Sequence, residues 1–142
     1  MTGGQFRVIR PPQPDGQPVD LSASRVTGGL HVSCRAERGY FVTSLRGALD
    51  ASIAPALREY LLPIVHECAG RLVIDLSAVS CADVSGLTVL VGAGRRAQLL
   101  GGLVRLAAPV AEVAGTLTTT GLDRQLHVYA TVEAAITGAG AV

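Results

Sequence analysis

From Leu30 onward the chain alternates between short apolar runs and longer stretches whose apolar residues stand three and four apart. The first two runs, Leu30 to Arg35 and Tyr40 to Leu45, flank a polar Glu37-Arg38-Gly39 step, which is the signal of a β-hairpin. Past Gly47, residues Ile53, Leu57, Leu61, Ile64, Val65 and Cys68 share one face at helical spacing. That spacing predicts a helix over roughly 52–68, with Ser52 as N-cap and Pro55 in the first turn. Pro63 falls inside it, where the missing N–H and the ring clash cost about 3 kcal/mol, so a kink or break is expected near Leu62.

Within Arg71 to Leu76, Leu72, Val73 and Ile74 are consecutive apolar residues, the mark of a strand covered on both faces. The sheet should therefore carry helices on both sides, or one face very well covered. A small polar turn from Ser77 to Val84 then leads into a helix from Ser85 to Leu100, stopped by Gly101-Gly102. Residues 103–107 predict another strand. Pro109 suits the N1 position of a third helix, with Val110, Val113, Ala114 and Leu117 on one face and Gly121 as its stop. Leu126 to Tyr129 predicts a last strand, and Thr131 caps a short helix carrying Val132 and Ile136. The order β-β-α-β-α-β-α-β-α predicts an α/β fold: a mixed sheet of about four to five strands, with parallel pairs entered through an antiparallel hairpin, packed with about four helices.

Residues 1–29 have a different texture, with four of the seven prolines, five glycines and only scattered aliphatic side chains. They are expected to form a flexible tail ahead of one domain over 30–138. A length of 142 residues fits a single domain, and 49% hydrophobic against 16% charged residues suffices for a sizeable core. The formal charge of +1, with arginine supplying every basic side chain, excludes the basic excess of a general nucleic-acid binder. Cys34, Cys68 and Cys81 make an odd count without a CxxC pair, which points to neither a disulfide framework nor a zinc knuckle but to a reducing compartment. No apolar run approaches the roughly 18 residues of a membrane span, and the first residues lack the apolar core of a secretion signal. The expectation is a cytoplasmic protein with no membrane partner.

The chemistry concentrates where the strand ending at Asp75 gives way, through small residues, to Asp83-Val84-Ser85-Gly86 and a helix. A serine presented at a helix N-terminus stands beside free backbone N–H groups and the positive end of the helix dipole, a setting that tolerates a phosphate, and Gly86 would let another chain come close. Equally, Asp83 or Ser85 could simply cap the helix. A competing motif reads Leu87 to Val91 as a strand and Gly92-Ala93-Gly94-Arg95-Arg96-Ala97 as G-x-G-x-x-A, with Glu112 about 20 residues downstream, a dinucleotide site. Gly101-Gly102 would stop its helix after about seven residues, too short for a crossover; close packing of Gly92 and Gly94 against neighbouring elements is the alternative. His31, His66 and His127 lie on separate elements without ligand spacing, so no metal site is expected. No G-x-S-x-G elbow surrounds Ser85. Arg95-Arg96 could meet an acidic partner or form a solvated face, and Cys81 is a small packing residue or a redox-sensitive thiol.

Arg46-Gly47-Ala48-Leu49-Asp50, followed by Ala54-Pro55-Ala56-Leu57, resembles the G-x-L-D turn and first helix of the STAS domain, the fold of bacterial anti-sigma factor antagonists. Leu72 to Ser77, Asp83-Val84-Ser85-Gly86-Leu87, Gly101 to Leu106 and Thr120-Gly121-Leu122-Asp123 follow in the family's order and spacing, so the resemblance spans about residues 30–137. It implies a regulatory protein without catalytic activity or cofactor, which binds an anti-sigma factor with serine kinase activity, frees a sigma factor, and is switched off by phosphorylation. Ser85 matches the phosphoacceptor, a phosphatase would reverse the modification, and Asp50, Asp83, Val84, Ser85, Gly86 and Leu87 match the partner-binding segment. The family often has Asp-Ser-Ser-Gly where this chain has Val84 in place of the first serine, and Ala48 replaces a frequently acidic position. A STAS scaffold that never meets a kinase, and a STAS domain of an anion transporter, are the alternatives within the resemblance.

Overall fold

The structure is a computed structural model, and it describes residues 25–27, 30–68 and 71–138. Six strands form one sheet in chain order: β1 (Arg25–Thr27), β2 (Leu30–Glu37), β3 (Tyr40–Leu49), β4 (Arg71–Ala82), β5 (Leu103–Ala107) and β6 (His127–Tyr129). β1–β2 and β2–β3 are antiparallel, and β3 through β6 are parallel. The helices are α1 (Ala54–Glu67), α2 (Val84–Leu99), α3 (Ala111–Thr120) and α4 (Val132–Thr137), with a 3-10 turn over Leu122–Arg124. This is the expected α/β order with one strand added at the sheet's edge. The flexible tail expected over 1–29 lies outside the described residues, save for 25–27, whose backbone pairs with β2.

Each crossover from β3 to β6 joins adjacent parallel strands running the same way, and right-handed crossovers then place α1, α2 and α3 on one face. The main core lies there, with Leu45, Leu72, Ile74, Leu76 and Leu106 from the sheet packing against Leu57, Leu61, Leu87, Leu90, Val113 and Leu117 from the helices. The opposite face carries a smaller cluster of Val42, Val73, Ala107 and Tyr129 under Ala135 and Ile136 of α4. Val73 is thus buried on the side away from Leu72 and Ile74, as the unbroken apolar run demanded. Arg105 fastens α4 to this face. Its Nη1 donates to the carbonyls of Ala135 at 2.6 Å and Ile136 at 3.4 Å, and its guanidinium lies over the rings of Tyr40 and Tyr129.

The hairpin turn is only Arg38-Gly39, both with positive φ, as a two-residue type I′ connection requires. Four other expectations need correcting. α1 runs through Pro63 without a break, because Leu57, Tyr60, Leu61, Ile64 and Val65 are buried along its length and their packing outweighs one lost hydrogen bond. Ser52 does not cap α1; Ile53 occupies that position with no side-chain bond, while Ser52 donates its N–H and hydroxyl to Asp50. The polar stretch from Ser77 to Ala82 is strand rather than turn, since β4 continues along the extended end of β3 through two register shifts. Pro109 also precedes the N-cap of α3, Val110, instead of opening the helix.

Between the sheet and α1, Thr43 and Tyr60 are buried with their hydroxyls 3.4 Å apart. Cys34 is buried beside them, and desolvation pushes its thiol up to about 11, which keeps it protonated and inert. Among the described residues no helix is long and apolar enough to cross a membrane.

Candidate functional site

The site lies where two parallel strands end side by side. Leu49 closes β3 opposite Ala82, which closes β4, so Asp50 and Asp83 each stand one residue past a paired strand end. The C-terminal edge of parallel strands is where α/β sheets place their functional loops. A backbone bond from the Asp83 N–H to the Leu49 carbonyl at 2.9 Å ties the two ends together.

Asp83 has extended backbone (φ −110°, ψ 179°) and is the N-cap of α2, its Oδ1 accepting the Gly86 N–H at 3.0 Å. The first intrahelical bond follows at once, from the Leu87 N–H to the Asp83 carbonyl. Gly86 itself presses on the end of β3. A Cβ there would stand 2.5 Å from the Leu49 carbonyl oxygen and 2.7 Å from its carbonyl carbon, so only glycine permits this approach. The chain it admits is therefore its own, not a partner's. Leu87 is fully buried in the core, which removes it from any contact surface.

Ser85 is left over. It sits at the second helical position, exposed, and no hydrogen bond among the described residues engages its hydroxyl. The cap that might have been serine or aspartate is aspartate alone. Val84, exposed at 53%, stands beside it as an apolar surface residue. The Val84 and Ser85 N–H groups belong to the first turn, which has no intrahelical acceptors for them. Across the strand ends, Asp50 accepts the Ser52 hydroxyl at 2.5 Å and its N–H at 3.0 Å. The Ser52 hydroxyl, helped by backbone N–H groups, holds the Asp50 carboxyl below the usual carboxylate range. Of the six residues the sequence pointed to, the structure thus brings Asp50, Asp83, Val84 and Ser85 to one surface and assigns Gly86 and Leu87 to the packing beneath.

Chemically, this is a free hydroxyl two residues past the capping Asp83, with no histidine hydrogen-bonded to it among the described residues that could make it a nucleophile. It can receive a group. No cluster of three or more His, Cys, Asp or Glu side chains among the described residues could hold a metal. The dinucleotide reading is overturned: Leu87 to Val91 is helix, so Gly92 and Gly94 lie in mid-helix and not in a strand-to-helix turn. Close packing does not explain Gly92 either, since a Cβ there meets nothing within 4 Å, while at Gly94 it makes an ordinary contact with Leu126. Cys81 is half-buried near the end of β4. Arg58 and Leu99 had no distinguishing signal in the sequence, yet they share a surface groove with Gly92, Arg95 and Arg96.

The family model of the STAS domain matches residues 31–135. No individual curated protein matches the chain by sequence. Among solved structures, an anti-sigma factor antagonist from Mycobacterium paratuberculosis is 28% identical with a TM-score of 0.69, the match covering 77% of this chain and 92% of that one. A candidate anti-sigma factor antagonist from Thermotoga maritima is 20% identical with a TM-score of 0.68, covering 74% and 91%. The anti-sigma factor antagonist SpoIIAA in its unphosphorylated form is 22% identical with a TM-score of 0.61, covering 75% and 94%. The last two likenesses are of fold.

Proposed function

The chain belongs to the STAS domain family, and we propose that it is an anti-sigma factor antagonist: it binds a kinase-like anti-sigma factor, so releasing a sigma factor, and is switched off by phosphorylation of Ser85. The observation that carries this reading is the division of labour in the first turn of α2. Asp83 caps, Gly86 packs and Leu87 fills the core, and the one hydroxyl in the turn is exposed with no structural bond. The 28% identical relative from Mycobacterium paratuberculosis, itself an anti-sigma factor antagonist, supports the partner class.

The physical effect of the switch follows from charge. A phosphate adds about −1.5 to −2 charges at neutral pH, in a turn that already presents the Asp83 carboxylate. At a separation of about 5 Å and an effective dielectric of about 20, each added unit of like charge costs about 3 kcal/mol. The helix N-terminus offsets about 1 kcal/mol of this. The fold tolerates the modification because the hydroxyl is outside the core. A partner fitted to the neutral serine must instead desolvate a dianion beside carboxylates. A loss of about 3 kcal/mol weakens affinity on the order of a hundredfold.

The test is incubation with ATP and the kinase-like anti-sigma factor of the same genome, followed by peptide mapping and calorimetry. One phosphate on Ser85, its absence in Ser85→Ala, its removal by a serine phosphatase and a large loss of affinity on modification are expected. An unmodified Ser85, or equal affinity of the two forms, would assign the chain to a scaffold role instead.

A further inference from the structure

The outer surface of α1 and α2 holds two adjoining depressions of about 420 and 450 Å3, which share Arg58, Leu62 and Val89. The first continues between Thr88 and Leu99 of α2, about 16 Å along the axis at 1.5 Å per residue, or three helical turns. Its floor is Leu61, Leu62, Val89 and Ala93, and its walls carry Arg58, Arg95 and Arg96. Among the described residues the ion pairs belong to Arg35 and Arg38, so none of these three guanidinium groups meets a carboxylate. Arg95 reaches only Gln125, at 3.4 Å. Glu59 lies outside the first, in the second depression. Leu99, at 78% exposure, extends the apolar surface past the arginines.

Gly92 lies in the middle of this groove. Glycine is a poor residue for a helix interior, and here no internal contact requires it, since a Cβ at this position would meet open space. What its missing side chain provides is a low point in the groove wall, over which another backbone can pass closely.

We propose that the α1–α2 groove is a docking site for an acidic amphipathic helix of a partner protein. The apolar floor takes the helix's aliphatic stripe, Gly92 admits its backbone, and carboxylates on its flanks pair with Arg58, Arg95 and Arg96. The three-turn length and the placing of the arginines on two different helices suit a helix laid lengthwise, whereas a small anion would need guanidinium groups converging on one point. The proposal rests on the groove and not on the state of Ser85.

The test uses a fluorescein-labelled synthetic peptide of about 18 residues, long enough to hold a helix, with leucines at a and d spacing and glutamates at the flanking positions. Fluorescence anisotropy with the full chain should show saturable binding that weakens with added salt. A lysine-for-glutamate version of the peptide should not bind. Arg58→Glu with Arg96→Glu should weaken binding about tenfold or more, while Arg46→Glu, exposed on the opposite face of the sheet, should change it less than about twofold. Gly92→Leu should abolish binding without lowering the melting temperature, because the position is open. Absent binding, equal binding of the lysine peptide, or indifference to Gly92→Leu would overturn the proposal. So would self-association of the chain that Gly92→Leu removes, which would give the groove to a second copy. Neither kinase nor phosphate enters this experiment, so its failure is distinct from a failure at Ser85.

Discussion

Gly86 and Gly92 occupy the same helix six residues apart, and their surroundings could hardly differ more. A side chain at the first would overlap the backbone of Leu49, while at the second it would touch nothing. The first turn of α2 is therefore committed to the fold: Asp83 satisfies a backbone donor, Gly86 seats the helix on β3, and Leu87 enters the core. The third turn bears a glycine that no internal contact requires, and the next turn bears two arginines that meet no carboxylate among the described residues. In the first turn the residue without an internal task is Ser85; in the third, most of the exposed face has none. Surface residues without structural duties are where function can be carried with little cost to stability.

The sharpest way to break this contrast is Gly86→Ala. A Cβ at 2.5 Å from the Leu49 carbonyl oxygen meets backbone, not the end of a flexible side chain. Either β3 and α2 separate, breaking the Asp83 to Leu49 bond, or the strain is held in the native state. A loss of about 2–4 kcal/mol is expected in urea unfolding. A loss below about 1 kcal/mol would mean that α2 slides freely on the sheet, and the first turn would no longer be called committed.

A smaller effect in the same turn is expected of Asp83→Ala, which removes the acceptor for the Gly86 N–H. About 1 kcal/mol should be lost, most of it recovered by Asp83→Asn, since asparagine caps nearly as well. Equal stability of all three forms would show that the cap bond is not what starts the helix.

How much of this was legible in the sequence depends on how local the cause is. The helical spacing of α1, the apolar run of β4 and the Thr131 cap of α4 are written in neighbouring residues, and each formed where the pattern placed it. The start of α2 was legible as a choice, with Asp83 and Ser85 both fit to cap, because both residue types cap well; geometry alone assigns the task to Asp83. What escaped depends on residues distant in sequence. Gly86 is required by Leu49, thirty-seven positions earlier (86 − 49). The strand character of Ser77 to Ala82 depends on pairing with the end of β3, which small polar side chains do not announce. The continuity of α1 through Pro63 has the same kind of cause, since the proline's local cost is real but the burial that outweighs it comes from packing on the sheet. The groove was visible only in fragments, because Arg58 and Arg96 belong to separate helices whose approach is set by the fold.

The third turn should respond in the opposite direction. Gly92→Ala places a methyl group in open space and removes the backbone freedom that glycine gives the unfolded chain. The expected result is a gain of about 0.5–1 kcal/mol, read as a higher urea midpoint with an unchanged slope. A loss of stability would mean that α2 is more tightly covered at this point than the open groove allows, and the contrast with Gly86 would shrink.

The smallest effect, and the one that bears most directly on function, is expected of Ser85→Ala. The hydroxyl accepts and donates nothing among the described residues, the position is exposed, and alanine is the better helix former, so three considerations point to a change within about 0.5 kcal/mol of zero. A serine engaged as a cap would lose about 1 kcal/mol on the same substitution, which is readily resolved when Asp83→Ala is measured alongside as the internal standard. If Ser85→Ala costs as much as Asp83→Ala, the hydroxyl is part of the cap and is not free to receive a phosphate without disturbing the helix. If it costs nothing while Asp83→Ala does, the two neighbouring polar residues are separable, one holding the turn and the other leaving its hydroxyl free of any structural task.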